Sequence, residues 1–246
     1  MRIYFAGIDR PSFLTELNKC EAKNILISYA DYKKTFPTFK KYLDKYNFNI
    51  LLDSGAYSAF TRGIKLDVRE YAEFIQQHKK YFERYFNLDD IEDFENTWNN
   101  QDYLESQGLK PVPVFHYGEP LELLRMMVRQ YDFIGLGGMV PIPNNKLDAW
   151  LSQLLFDRNG DVKYPNVKFH ALGLSTSYLL RKYPFYSCDS TKWLVGKKFG
   201  WTLYKNKGRG KDDNIIDKMG HNINWHLELE KELNNPREYE TNLRLF

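Results

Sequence analysis

Three aspartates stand at the ends of short apolar runs in this 246-residue sequence, where a strand would give way to a loop. They are Asp53, Asp89 and Asp189. Carboxylates are costly to bury unpaired, and carboxyl groups around one shared opening acquire different pKa values, so that some stay ionised while others are protonated. General acid–base and nucleophilic catalysis need this combination. The alternative for each aspartate is to cap a following helix, and for the adjacent Asp90 both interpretations stay open.

Glycines on the sixth apolar run and after the third leave room beside the backbone. Gly135, Gly137 and Gly138 belong to the former and Gly55 to the latter. Without side chains there, a flat ligand can approach and hydrogen-bond to backbone N–H and C=O groups, as a planar heterocycle would. The alternative is a glycine bend or bulge in a crowded strand.

The histidines and cysteines do not form a recognisable metal site. His116 and His170 lie within or at the ends of apolar runs, which favours hydrogen-bonded core histidines over ligands or bases. Cys20 and Cys188 are far apart, and the sequence has no CxxC pair. We therefore expect no metal, no disulfide and no cofactor.

Positive charge is concentrated in residues 192–211, which contain seven basic residues and no acidic one. The basic residues are Lys192, Lys197, Lys198, Lys205, Lys207, Arg209 and Lys211, and Trp193, Phe199, Trp201 and Tyr204 lie among them. Interleaved basic and aromatic side chains are typical of surfaces that neutralise phosphates and stack bases. A solvated basic loop is the alternative.

Eight short β-rich runs alternate with helix-like stretches. The runs are residues 2–6, 24–29, 49–53, 85–89, 112–116, 133–137, 168–172 and 185–189; the helical stretches are 11–19, 33–46, 67–82, 96–107, 120–131, 146–156 and 177–182. Compact apolar strands between helices indicate a parallel sheet covered by helices, and eight such units predict a (β/α)8 TIM-type barrel. An open doubly wound sheet is the alternative. We expect one domain over residues 1–246, with the basic segment and a helical tail, residues 192–246, packed on it.

The composition supports a folded protein that does not span a membrane. Hydrophobic residues make up 43 % of the chain and aromatics 16 %, enough for a sizeable core, and the net charge is +3. The apolar runs are far shorter than the roughly 20 residues that cross a bilayer. The N-terminal run is also too brief for a signal peptide, so we expect a cytoplasmic protein.

The strand ends resemble those of the tRNA-guanine transglycosylases, also called queuine tRNA-ribosyltransferases, which are (β/α)8 barrels. Residues 53–57 (Asp-Ser-Gly-Ala-Tyr) are similar to the family's Asp-Ser-Gly-Gly-Phe, residues 88–90 to its Phe-Asp-Glu, and residues 137–139 to its Gly-Gly-Leu. Residues 170–176 and 185–190 parallel its Leu-Leu-Gly-Val-Gly-Thr-Pro segment and the strand with the nucleophilic aspartate. The resemblance covers more than half of the chain.

The departures from the family pattern point to DNA. The family's Cys3His zinc site has no counterpart in a chain with two cysteines. The fifth-strand Gln-Gly appears as His116-Tyr117-Gly118, and Val140-Pro141 replaces an acidic residue that favours a cationic aminomethyl arm on the base. The compact chain therefore looks more like the shortened relatives, often encoded by phages and mobile elements, that exchange guanine in DNA for a 7-deazaguanine.

The resemblance implies a role for each site residue. Asp189 would be the nucleophile, Asp53 would handle the proton of the departing base, and Asp89 would accept hydrogen bonds from its edge. The base-binding residues would be Asp89, Ser54, Gly55, Tyr57, His116, Gly137, Gly138 and Met139. The nucleic-acid-binding residues would be Lys192, Lys197, Lys198, Trp201, Lys205, Lys207 and Arg209.

The implied partners are a nucleic acid, with DNA preferred over tRNA, and a free 7-deazaguanine base. Helper proteins that open the duplex would fit this picture, as would the cytoplasm of a bacterium or of a phage-infected host. Three alternatives stay open: a tRNA-guanine transglycosylase, a non-catalytic barrel that binds nucleic acid, and an unrelated barrel hydrolase or aldolase for small phosphorylated molecules. The absence of a phosphate-binding glycine turn between the last two strands argues against the last.

Overall fold

The structure is a computed structural model that describes residues 1–91, 93–204, 208–210 and 217–235. Eight parallel strands form its central sheet. They are β1 (Arg2–Phe5), β2 (Asn24–Ser28), β3 (Asn49–Asp53), β4 (Arg84–Tyr85), β5 (Val114–His116), β6 (Phe133–Gly137), β7 (Lys168–Ala171) and β8 (Ser187–Ser190). A separate antiparallel hairpin pairs β9 (Thr202–Tyr204) with β10 (Gly208–Gly210).

The sheet curls into a barrel. Its strand order is β4-β3-β2-β1-β8-β7-β6-β5, and all neighbouring strands are parallel. A parallel bridge between Phe86 and Val112 joins the two edges. There the backbone N–H of Asn87 donates to the Val112 carbonyl at 2.8 Å, and the Val112 N–H donates to the Tyr85 carbonyl at 2.8 Å. The predicted (β/α)8 TIM-type fold is confirmed.

Helices lie between the strands, as a parallel sheet requires. They are α1 (Pro11–Lys19), α2 (Tyr29–Tyr32), α3 (Phe36–Lys45), α4 (Ala56–Thr61), α5 (Val68–His78), α6 (Phe94–Ser106), α7 (Leu121–Gln130), α8 (Asn144–Leu155), α9 (Ser177–Lys182), α10 (Val195–Phe199) and α11 (Lys218–Leu233). Short 3-10 helices cover Lys79–Tyr81 and Lys192–Leu194. Within the described ranges, no helix is both long and apolar enough to cross a membrane.

The core has an inner and an outer part. Inside the barrel, Tyr4, Leu26, Leu51, Phe86 and Val114 pack together. The alternate side chains of the same strands point outward and bury the apolar faces of the helices, in two further clusters. Because side chains alternate along each strand, strands β1, β2 and β3 contribute to both parts, which explains their nearly continuous apolar sequences.

The fourth strand is shorter than predicted. Residues 85–89 read as a strand, but β4 ends at Tyr85. Beyond it, helix α6 supplies partners from its side chains: the Asn100 amide donates to the Leu88 carbonyl at 2.8 Å. The Asn87 amide in turn donates to the Thr97 carbonyl at 2.8 Å. The chain can therefore leave the strand before Asp89 without losing these buried hydrogen bonds.

The helix predicted over residues 33–46 is α3, which begins three residues later, at Phe36, with Pro37 in its first turn. A separate short helix, α2, precedes it and ends at Tyr32. Proline has no N–H and is well tolerated only in the first turn of a helix, so a new helix starts there. The helical tail predicted within residues 192–246 contains α11, whose N-cap Asp217 accepts from the Gly220 N–H at 2.9 Å.

Helix α11 covers the outside of β1 and β8. Glu230 accepts from the Ile3 N–H at 2.7 Å. The buried His226 ring contacts the Ser190 hydroxyl at 3.0 Å. Beside α11, the Trp193 indole N–H donates to the Ala6 carbonyl at 2.8 Å. The tail is thus packed on the two strands between which the first and last units of the barrel meet.

Candidate active site at the barrel mouth

The predicted aspartates meet at the carboxyl ends of the strands. Asp53 is the last residue of β3, in register with Ser28 of β2, and Asp189 lies near the end of β8 in register with Tyr4 of β1. Asp89 follows β4 and contacts the end of β5. We call this edge the barrel mouth and define it by Asp53, Asp89, His116 and Asp189. In TIM barrels catalytic residues lie at this face.

Asp53 is held by the turn that follows β3. Its Oδ2 accepts from the Gly55 N–H at 2.9 Å. Gly55 has a φ of 75°, and a Cβ there would lie 2.2 Å from the Ser28 hydroxyl oxygen and 2.6 Å from the Ala30 Cβ. The position therefore requires glycine, both for its backbone angle and for the close approach of the next loop.

Asp53 is a carboxyl group that can be protonated near neutral pH. Burial raises its pKa, and the negative charges of Asp89 and Asp189 raise it further, against the opposing Gly55 N–H, to about 7. Asp53 and Asp89 are also linked geometrically, because Ser54, the residue after Asp53, donates a hydrogen bond to Asp89. A carboxyl with such a pKa can donate a proton and take it back at neutral pH.

Asp89 is fixed through both of its oxygens. The buried Ser54 hydroxyl donates to Oδ1 at 3.1 Å, and Oδ2 lies 2.9 Å from Nε2 of His116. The Ser54 oxygen also accepts from the Ala56 N–H at 3.2 Å. Asp89 is thus tied to the turn after β3 and to the end of β5.

Glu119 holds the other side of the His116 ring. One Glu119 oxygen lies 3.3 Å from Nδ1 of His116, and the other accepts from the His116 backbone N–H at 2.8 Å. Burial lowers the pKa of His116, but the hydrogen bonds and charges of Asp89 and Glu119 outweigh it and raise the pKa to about 10. His116 is therefore an imidazolium between two carboxylates. Glu119 was not among the predicted site residues, although its spacing of three from His116 was a usable signal.

Asp189 lies deepest in the mouth, with 7 % of its surface exposed. Its Oδ1 accepts from the Gly173 N–H at 2.7 Å. Nε2 of the fully buried His170 lies 3.4 Å from the same oxygen. Asp189 is therefore oriented by the loop after β7 and by a histidine that the sequence favoured as a core residue.

The sixth-strand glycines are packed against side chains. A Cβ on Gly137 would lie 2.8 Å from Cδ2 of His116 and 2.9 Å from a Val114 methyl group, and one on Gly135 would lie 3.1 Å from the Phe86 ring. The interpretation of these glycines as an open slot needs correction. The space beside Gly135 holds Phe86, and the space beside Gly137 holds His116. Gly138, with a φ of 67°, turns the chain away at the end of the strand.

Two other predicted base-binding residues differ in their environment. The Met139 side chain is buried in the outer core between β6 and its helices, so only its backbone is available at the mouth. Tyr57 stands on α4, directly after the Asp53 turn, and is 55 % exposed. Asp90 organises the loop that leads to α6: its oxygens accept from the Asp93 N–H and from the Asn96 amide.

The basic segment begins beside the mouth. Lys192 reaches back to the Ser175 carbonyl at 2.9 Å, and Lys197 lies 4.5 Å above the Phe13 ring. Lys198 is exposed, and the rings of Trp201 and the exposed Phe199 are 5.5 Å apart. Lys205 and Lys207 lie outside the described residues, as does the side chain of Arg209.

The residues present do not fit the zinc site of the resembled family. Cys188 is buried in the outer core and Cys20 is partly buried on the other side of β1. Among the described residues, no group of three or more His, Cys, Asp or Glu side chains is arranged to hold a metal ion.

The mouth can support chemistry that divides two tasks between carboxyl groups. Because its pKa is about 7, Asp53 can exchange a proton near neutral pH. Asp189 is buried and is oriented by the Gly173 N–H. Retaining glycosidases form and break a covalent sugar–enzyme bond with one carboxyl group as the proton donor and a second carboxylate as the nucleophile. Asp89 adds an acceptor held by Ser54 and His116.

Comparison with known proteins supports the fold. No family model matches the chain, and no curated protein matches it. Among solved structures, it resembles a mutant tryptophan synthase alpha-subunit from Pyrococcus furiosus with 14 % identity and a TM-score of 0.53, over 95 % of this chain and 96 % of that chain. A second mutant of that subunit shares 15 % identity at a TM-score of 0.52, over 94 % and 96 %. Similarity at this level of identity shows the barrel fold alone.

Proposed function

We propose that the protein is a base-exchange transglycosylase that replaces guanine in DNA with a 7-deazaguanine through a covalent aspartyl–sugar intermediate. The observation that carries this proposal is the meeting of Asp53, Asp89 and Asp189 at one mouth, with Asp53 near its protonation midpoint at neutral pH. These three aspartates are far apart in the chain, and they follow the same order as the strand-end aspartates of the resembled family. Their position at one mouth supports the proposal.

In the first displacement, Asp189 attacks C1′ of the target nucleotide. The bond from C1′ to N9 breaks, its electron pair leaves with guanine, and Asp53 donates the proton that guanine requires. Because the transition state has oxocarbenium character, the buried carboxylate stabilises it electrostatically as the new bond forms. Asp53 is then an anion within the mouth, where the charge of Asp89 also acts on it.

In the second displacement, N9 of the incoming 7-deazaguanine attacks C1′ from the face that guanine left. Asp53 takes the N9 proton, and the electron pair of the sugar–oxygen bond returns to Asp189. Two inversions retain the β-anomer, and no external acid or base is consumed. One residue thus acts as acid and then as base, which a pKa near 7 permits in both directions.

Asp89 would recognise the base. Its oxygens accept hydrogen bonds, and Ser54 and His116 hold it in place, so it suits the N1–H and 2-amino edge that guanine and 7-deazaguanines share. The exposed Val140 follows the sixth-strand glycines where a carboxylate would favour a cationic arm. We therefore expect a base with a neutral substituent or none.

The DNA would contact the basic side of the mouth. Lys197 and Lys198 are exposed near Phe199 and Trp201, a mixture suited to phosphates and stacked bases. A base inside a duplex cannot reach a buried carboxylate, so the target nucleotide must flip out or be single-stranded. Helper proteins in the cytoplasm of a bacterium or a phage-infected host could supply that opening.

Exchange of labelled guanine tests the proposal. The purified protein is offered duplex DNA, single-stranded DNA and tRNA that carry labelled guanine, together with an unlabelled 7-deazaguanine, and label release is followed. We expect release from DNA. Release from tRNA alone would assign the protein to the tRNA reaction, and binding without release from any polymer would indicate a non-catalytic barrel.

Two variants sharpen this test. Asp189→Asn should lower the exchange rate by about 10³-fold or more, since the amide cannot form the covalent bond. Asp161→Asn makes the same chemical change at an exposed loop residue before β7 and should exchange as the wild type does. Full activity of the Asp189 variant would exclude Asp189 as the nucleophile.

A further inference from the structure

His170, Ser187 and Asp189 form a buried row on β7 and β8 that ends at the mouth. The Ser187 hydroxyl lies 2.8 Å from Nδ1 of His170, and Nε2 of the same ring lies 3.4 Å from Oδ1 of Asp189. His170 and Ser187 are fully buried. The ring is held between Phe86, at 5.2 Å, and the edge of Tyr4, at 5.8 Å.

The surroundings determine which nitrogen of His170 carries the proton. Nε2 is buried and has no hydrogen-bond partner of normal geometry within the described residues. A bare Nε2 would turn its lone pair toward the Asp189 carboxylate, which is repulsive, whereas an N–H there is attracted to it. The proton therefore belongs on Nε2, and the Ser187 hydroxyl donates to Nδ1.

The two oxygens of Asp189 are consequently unequal. Oδ1 accepts from the Gly173 N–H and faces the His170 N–H. Oδ2 has no hydrogen-bond partner in the part of the chain that the structure describes. An oxygen without donors keeps its lone pairs available for attack, while donors on the other oxygen fix the plane of the carboxylate.

We propose that His170, with its tautomer set by Ser187, is a positioning residue that holds Oδ1 of Asp189 and leaves Oδ2 to bond to C1′. This inference rests on the proposed function for the identity of the reacting carbon. In the first displacement, Oδ2 forms the sugar bond as the bond to guanine breaks. In the second, the electron pair returns to the carboxylate, and the donors at Oδ1 stabilise the charge that reappears there.

The tautomer is measurable without any substrate. The whole chain with 15N-labelled histidine is studied by NMR, and His170 is assigned by its absence from the spectrum of the His170→Gln variant. We expect a proton on Nε2, and we expect Ser187→Ala to change that ring's nitrogen shifts. A ring with its proton on Nδ1 alone in the wild type would overturn the proposal, because Nε2 could then donate nothing to Asp189.

A matched pair of variants tests the effect on catalysis. Gln and Met have similar length and volume, but only Gln offers an N–H near the place of Nε2. We expect His170→Met to lower kcat for exchange by about 10- to 100-fold with little change in KM for the base, and His170→Gln to recover much of the loss. Equal rates in the two variants, with equal thermal midpoints, would overturn the proposal.

The design separates the two possible failures. Absence of exchange by the wild type on every polymer would remove the proposed function, while the NMR result would still decide whether His170 donates to Asp189. If the wild type exchanges bases and the His170 ring carries its proton on Nδ1 alone, the role of His170 is excluded and the proposed function stands.

Discussion

Asp89 and His116 are joined across the barrel mouth by a contact of 2.9 Å between Oδ2 and Nε2, although they are 27 residues apart in the chain. Glu119 contacts the opposite nitrogen of the same ring. The three side chains are only 14 to 19 % exposed. This cluster ties the end of β5 to the loop after β4, where the barrel closes.

Replacing His116 should destabilise the fold in a pH-dependent way. Its pKa is raised from 6.5 to about 10 in the folded protein, so the ion pairs contribute fully below pH 6.5, and the contribution is lost as the pH rises to about 10. We expect His116→Gln to lower the free energy of unfolding at pH 6 by about 3 kcal/mol. Urea unfolding of both proteins at pH 6 and pH 10 measures this, and a difference that does not shrink at pH 10 would contradict the assignment.

Replacing Asp53 should separate stability from activity. Its pKa is raised from 3.8 to about 7, so the neutral carboxyl stabilises the fold fully below about pH 4 and this contribution is lost as the pH rises to about 7. Asp53→Asn, which stays neutral, should match the wild type in thermal midpoint near pH 4.5 and exceed it at pH 8.

Under the proposed function, the same variant should exchange bases poorly. Without a group to move the proton of the leaving base, the rate should fall by about 10²-fold or more. Labelled-guanine release at pH 7 measures this. Equal thermal midpoints at pH 8 would show that the folded protein does not penalise the Asp53 charge, and unchanged release would exclude Asp53 as the acid.

The two β6 glycines should tolerate alanine unequally. At Gly137 a Cβ would meet His116 and Val114 below 3.0 Å, whereas at Gly135 the nearest atom would be at 3.1 Å. Neither has a positive φ, so packing alone distinguishes them. We expect Gly137→Ala to cost about 1–3 kcal/mol and Gly135→Ala less, as measured by urea unfolding. The reverse order would mean that His116 moves away at no cost.

Neutralising Lys197 and Lys198 should weaken nucleic-acid binding and its salt dependence. Replacing both with Gln removes two exposed charges, so the magnitude of the slope of log K against log salt for a single strand should fall by about 1.4. Fluorescence anisotropy with a labelled single-stranded oligonucleotide over a series of salt concentrations gives the slope. Lys40 and Lys41, an exposed adjacent pair on α3, provide the matched control. Equal slopes in both double variants would assign binding elsewhere.

Sequence reasoning predicted the barrel because strands such as β2 and β6 are buried on both faces and therefore read as compact apolar runs. Residues 49–53 and 133–137 have the same bounds as β3 and β6, since nothing but apolar packing decides them. It failed at β4, where the Asn100 and Asn87 amides form hydrogen bonds with carbonyls of the loop and α6. Those bonds depend on a helix placed by the whole fold, so no local pattern reveals them.

The site shows the same division. The aspartates were predictable because strand ends converge in any barrel, but their unequal environments were not. Whether His116 is a core residue or an ion-paired one depends on the position of Asp89, which lies in the loop after β4. The sequence predicted open space beside Gly135 and Gly137, because it does not show which neighbouring side chains pack against a glycine.

Helix α11 covers the outer side of β8, which carries Asp189, through the contact between Ser190 and His226. The same helix contacts β1 through the hydrogen bond from the Ile3 N–H to Glu230. During synthesis on the ribosome, a chain that stops short of this helix leaves the first and eighth strands uncovered. The Asp189 carboxylate therefore acquires its final geometry late, after nearly all of the barrel has been made. Loss of α11 would uncover the strand that positions it.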